Sequence, residues 1–97
     1  MPVYLIIDLT IIDEDAYADY IARVPAVMEQ YGGRYLVRTS QVSTLAGGWQ
    51  PERIIVVEFD EAEQVQAFYA SPEFQELAPL REQCISARII LVEGFDS

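Results

Sequence analysis

The 97-residue chain carries 16 Asp and Glu against 6 arginines, has neither lysine nor histidine, and so has a formal charge of −10. That length closes one hydrophobic core and no second, so a single domain spanning residues 1–97 is expected. The charge disfavours phosphate backbones and anionic membrane surfaces, so no nucleic-acid or membrane partner is expected. The missing residue types exclude lysine Schiff bases, histidine ligation of metal or haem, and His-dependent triads within this chain. A hydrophobic fraction of 52% places the chain among globular proteins, and no apolar run approaches the roughly 20 residues that span a bilayer. Met1 leads straight into a strand-like segment without the features of a secretory leader, so a cytoplasmic location is expected. The lone cysteine, Cys84, reads as a small buried hydrophobe. No cofactor is implied.

The first segment, Val3 to Leu9, is rich in β-branched and aromatic residues and predicts a strand. Asp13, Glu14 and Asp15 supply an N-cap and an acidic first turn for the helix that follows. Tyr17, Tyr20, Ile21, Val24, Met28 and Tyr31 recur at spacings of three and four, the stripe of a helix with one face on a core. Pro25 is expected to kink or split its last turns, and Gly32-Gly33 to end it. Arg34 to Arg38 predicts a second strand. From Thr39 to Gln50 the composition turns to Ser, Thr and Gly, an irregular connection closed by Trp49 and Pro51. Arg53 to Phe59 is the strongest strand pattern. Asp60 with Glu63 predicts a capping box for a helix burying Val65, Phe68 and Tyr69, and Ser71-Pro72 restarts helix with Phe74, Leu77 and Leu80 inward. Ala87 to Val92 predicts the last strand, ended by Gly94.

The order β-α-β-β-α-β folds through right-handed crossovers into a four-stranded antiparallel sheet with both helices on one face, the ferredoxin-like α+β architecture. Antiparallel sheets with a wet face alternate apolar and polar residues, whereas here Tyr4 and Ile6 lie opposite Val3, Leu5, Ile7 and Leu9, and Ile54 and Val56 opposite Ile55, Val57 and Phe59. A face of that size needs a cover. The same face of a second subunit is the economical one, so a homodimer is expected.

Tyr31-Gly32-Gly33-Arg34-Tyr35-Leu36-Val37-Arg38, Gly48-Trp49-Gln50-Pro51-Glu52-Arg53, Val57-Glu58-Phe59, Tyr69, Ser71-Pro72-Glu73-Phe74, Leu80-Arg81 and Glu93-Gly94 together resemble the DUF1330 family over nearly the whole chain. The resemblance implies the dimeric α/β-barrel superfamily, in which two ferredoxin-like subunits pack sheet on sheet. Its relatives include cofactor-independent monooxygenases, lactone isomerases, haem peroxidases and amino-acid-sensing domains. The family itself has no settled function, and fold-level analogy does not choose among such chemistries.

Strand parity sorts the candidate site residues. Asp8 shares a face with Tyr4 and Ile6, Glu58 with Ile54 and Val56, and Arg38 with Leu36 and Arg34. Enclosed between two sheets, Asp8, Arg38 and Glu58 would pair, or leave one carboxylate with a raised pKa to act as acid or base. Glu58 and Asp8 are therefore the catalytic candidates. Arg38, Tyr4, Trp49, Tyr69 and Arg81 are the ligand-binding candidates for a small apolar or anionic molecule. Trp49 with Gly47-Gly48 reads as a lid over a cavity mouth or as a rim contact on a second subunit. The alternative for the whole polar cluster is a structural ion pair that sets register, in a dimer without catalysis. Helix capping explains Ser71, core packing Tyr69, and the helix dipole Arg81, without any ligand.

Overall fold

Alternation along the strands decides the layers. The computed structural model describes residues 1–95. It contains β1 (Val3–Ile11), α1 (Glu14–Gln30), β2 (Arg34–Thr39), β3 (Arg53–Phe59), α2 (Ala62–Ala70), α3 (Pro72–Cys84) and β4 (Ile85–Glu93). The sheet order is β2-β3-β1-β4 with every neighbouring pair antiparallel. Val3, Leu5 and Leu9 of β1, Ile55, Val57 and Phe59 of β3, and Ile85 of β4 are buried on one face beneath the helices. The shortest dimension of the molecule, 16 Å, is that of one helix layer on one sheet. This is the expected ferredoxin-like arrangement, with the second helix divided in two.

Local chemistry explains the boundaries. Asp13 caps α1, its Oδ1 accepting the Ala16 N–H at 3.0 Å. Ser71 stands between α2 and α3: its hydroxyl donates to the Phe68 carbonyl at 2.7 Å and accepts the Phe74 N–H at 3.1 Å, so one buried side chain ends one helix and starts the next. Two expectations are corrected. The helix runs unbroken through Pro25, because Tyr20 and Val24 before it and Met28 after it are held in the same core, which outweighs one missing backbone bond. The α2 cap is Glu61, whose N–H donates to Gln64 Oε1 at 3.0 Å, while Asp60 turns away to accept from Arg34 at 2.9 Å. At Gly33 the α1–β2 turn crowds the core, where a Cβ would lie 2.7 Å from Met28 Cγ and 2.9 Å from Phe59 Cζ.

One irregularity governs the site. In β2, Tyr35 pairs with Val57 but Val37 pairs with Val56, so Leu36 is an extra, unpaired residue. Paired residues share a face, so this bulge places Arg34 and Val37 on the open face and Tyr35 and Arg38 on the helix face. Among the described residues no helix is long and apolar enough to cross a membrane.

Candidate functional site

The open face has an apolar centre between two polar rows. Val37, Val56, Ile6 and Ile90 are register partners across all four strands. On one side Arg34, Glu58, Tyr4 and Val92 form a row, and on the other Thr39, Ile54, Asp8 and Arg88. Tyr4 Oη donates to Glu58 Oε2 at 2.9 Å, and Arg34 grips Glu58 Oε1 through Nε at 3.1 Å and Nη2 at 3.0 Å. This bond to the carboxylate raises the Tyr4 phenol above its ordinary pKa. In the other row Asp8 Oδ2 accepts from Trp49 Nε1 at 2.9 Å and Arg88 Nη2 at 2.7 Å. The Trp49 bond, then the Arg88 bond, hold the Asp8 carboxyl below its ordinary pKa. Such a carboxylate is a poor proton acceptor at neutral pH.

The Trp49 bond also fastens the β2–β3 connection over the open face. Val42, Leu45, Trp49 and Pro51 form a groove there with Ile6 and Ile54. Within the connection the Thr44 hydroxyl bonds to the Trp49 carbonyl at 2.6 Å and to the Gln50 side chain, whose amide reaches the Val42 carbonyl at 2.9 Å.

On the other side of the sheet, beneath the helices, lies a cavity of about 40 Å³. Its lining residues are mostly aliphatic and aromatic, and those with polar side chains are Tyr17, Tyr20, Tyr35, Tyr69, Arg38 and Arg81. No carboxylate lines it. The Arg38 guanidinium sits 5.1 Å from the Tyr35 ring centroid, a cation–π contact. Tyr17 Oη accepts from Arg53 Nε at 2.9 Å. Burial pushes the Tyr20 phenol well above its ordinary pKa, the Tyr35 phenol up to about 12, and the Tyr69 phenol upward; the charge of Arg81 opposes this at Tyr20 and Tyr69, that of Arg38 at Tyr35. All three remain protonated donors at neutral pH.

The sheet thus divides the seven predicted site residues. Tyr4, Asp8, Glu58 and Trp49 lie on the open face, whereas Arg38, Tyr69 and Arg81 line the cavity. The expected contact of Arg38 with Glu58 or Asp8 is corrected: Arg34 and Arg88 take those places, because the bulge at Leu36 turns Arg38 through the sheet. Simple parity along the last strand would have found Arg88, which shares a face with Ile90. Parity also put Arg34 on the face of Glu58, and nothing in the β2 sequence marks the bulge that removes Arg38 from that face and leaves Arg34 as the partner. Among the described residues no cluster of three or more His, Cys, Asp or Glu is placed to hold a metal ion.

The fold is one that solved structures share. A protein of unknown function from Rhodopseudomonas palustris superposes with a TM-score of 0.83 at 16% identity, over 99% of this chain and 84% of its own. A dimeric ferredoxin-like protein of unknown function from Jannaschia gives 0.75 at 10% identity, over 97% and 100%. SnoaB, a cofactor-independent oxygenase from Streptomyces nogalater, gives 0.73 at 12% identity, over 99% and 95%. At these identities the likeness establishes the ferredoxin-like fold. The sequence itself is more specific: residues 2–95 match the model of DUF1330, a domain of unknown function, and the chain belongs to that family. No curated protein matches it.

Proposed function

We propose that this protein is a homodimer of the α/β-barrel kind, joined through the open faces of its sheets, and that each subunit binds a small molecule in the cavity between its helices and sheet. The observation that carries this reading is the contrast between the faces. Asp8 and Glu58, the carboxylates of the open face, are both engaged by arginine and by an aromatic donor. The open face carries wider but shallow grooves beside Trp49, whereas the more enclosed space, with the uncommitted arginines and tyrosines, is the cavity beneath the helices. Paired charges flanking the apolar row of Val37, Val56, Ile6 and Ile90 suit an interface with a dry centre and a polar rim. That a neighbour of the same fold, the protein from Jannaschia, is dimeric supports a dimer here. Asp8 and Glu58 accordingly hold register and the Trp49 connection, and Arg38, Tyr69 and Arg81 meet the ligand.

Binding and orientation are what this lining does best. It offers hydrogen-bond donors and apolar walls but no carboxylate or imidazole to take a proton. If chemistry follows binding, the arrangement favours a substrate that is itself acidic, whose anion the donors stabilise. The experiment is a fragment screen read by NMR on the intact dimer. Shifts should concentrate at Tyr20, Tyr69 and Ile89. Shifts confined to Ile6, Trp49 and Ile90 would place the ligand on the open face and overturn the assignment.

A further inference from the structure

We infer that the cavity ligand is an anion, a small apolar carboxylate whose head is held by Arg38 and Arg81 and by the hydroxyls of Tyr20, Tyr35 and Tyr69. This rests on the cavity being the ligand site. The starting point is how the chain spends its few cations. Arg34 pairs with Glu58 and Asp60, Arg88 with Asp8, and Arg23 with Asp19. Arg53 donates to the Tyr17 and Ser40 hydroxyls. In a protein with 16 acidic residues, Arg38 and Arg81 form no ion pair among the described residues, and both line the cavity beneath the helices. The tyrosines divide in the same way. The hydroxyls of Tyr4, Tyr31 and Tyr17 are hydrogen-bonded, whereas those of Tyr20, Tyr35 and Tyr69 have no protein partner among the described residues. No side-chain oxygen or nitrogen among the described residues is sealed from solvent without a partner, so these hydroxyls keep access to solvent, and all three residues line the cavity.

Two guanidinium groups and three un-ionised phenols present positive charge and hydrogen-bond donors with no carboxylate among the lining residues to balance them, which suits an anion better than a cation. The net charge of −10 does not reverse this. Exterior carboxylates are screened over about 8 Å at physiological ionic strength, while charges inside a partly closed cavity are screened far less. One carboxylate comes close: Glu29 lies with Arg38 and Tyr35 in a separate shallow groove, and its charge reaches Tyr35. It makes no ion pair with Arg38 among the described residues. The size of the cavity bears on the ligand too. About 40 Å³ holds a carboxylate head and a few carbons, against roughly 150 Å³ for a cavity that takes benzene. A larger apolar body therefore extends past Arg38, an exposed residue shared with the outer groove, or moves α3, whose last turn carries Arg81.

The test compares acids with their uncharged amides on the full-length dimer: benzoate against benzamide and hexanoate against hexanamide, by calorimetry and by NMR shifts at Tyr20, Tyr69 and Ile89. The acids should bind at least about tenfold more tightly, the worth of one or two charge-assisted hydrogen bonds. Arg81→Met and Arg38→Met should each reduce acid binding toward the amide level, Arg81→Lys less so, and Arg23→Met not at all. If Arg81→Met does not fold, Arg38→Met decides, since Arg38 is exposed on an edge strand. Amides binding as well as acids at the same residues would overturn the anion assignment and leave the cavity standing as the site. Acids and amides that both leave those resonances unmoved would overturn both readings.

Discussion

Replacing Ile90 with arginine sets a charge into the apolar row of the open face. Ile90 is 59% exposed in the subunit and lies in register with Ile6, so most of its side chain is available for a partner to cover. Full burial of an isoleucine contributes ~1.5–3 kcal/mol, and the fraction still open corresponds to about 1–2 kcal/mol per copy. In a twofold interface the loss occurs twice, giving about 2–4 kcal/mol, and an unpaired guanidinium in the contact adds a desolvation cost. The dimer should weaken by at least roughly a hundredfold. Sedimentation velocity at micromolar concentration should show the parent near twice 11.0 kDa and the Ile90→Arg variant near the monomer mass, with circular dichroism still that of a folded α+β domain. A variant that remains fully dimeric would refute the assignment of the interface to this face. A parent that sediments as a monomer would refute the argument that the face needs a cover.

Three further outcomes follow from individual contacts. Asp8→Ala should release the β2–β3 connection, lowering stability by about 1–3 kcal/mol and altering Trp49 emission; the Arg88 contribution is the smaller part, since that side chain is 78% exposed. Because the folded-state pKa of Asp8 is depressed, its contribution is present above the unfolded pKa of about 3.9 and is lost as pH falls through the folded value. Acid melts of the parent should show that loss, and those of Asp8→Ala should not. Gly33→Ala should destabilise by about 1–3 kcal/mol in chemical denaturation, because the new methyl meets Met28 and Phe59 inside 3 Å. At alkaline pH an unfolded chain ionises its tyrosines near pH 10, while Tyr35 in the fold holds its proton to about 12 and Tyr20 longer. Stability should therefore fall from about pH 10 upward, with a late phase in the phenolate absorbance. Complete ionisation of all six tyrosines near pH 10 in the folded protein would contradict the buried phenols.

Much of this molecule follows from short-range rules. The strands are legible because β-branched runs are bounded by turn residues, α1 because its aromatic stripe keeps helical period, and the caps at Asp13 and Ser71 because each supplies an oxygen where helix N–H groups lack partners. The two-sided apolarity of β1 and β3 was equally local, and the open face it predicts is present. Parity likewise placed Tyr4, Asp8 and Glu58 together on that face.

What sequence alone left undecided depends on pairing across the sheet. A strand's side chains alternate strictly only while its register is unbroken, and one extra residue at Leu36 reverses the rest of the strand. That single insertion sends Arg38 to the helix side, leaves Glu58 to Arg34 alone, and brings Arg38 to the same cavity as Arg81 and Tyr69, residues 43 and 31 positions further along the chain. The acid clusters and tyrosine stripe were visible beforehand as residues. Which carboxylates are paired, and which arginines form no ion pair among the described residues, was settled only when four strands took their order and the helices closed over one side.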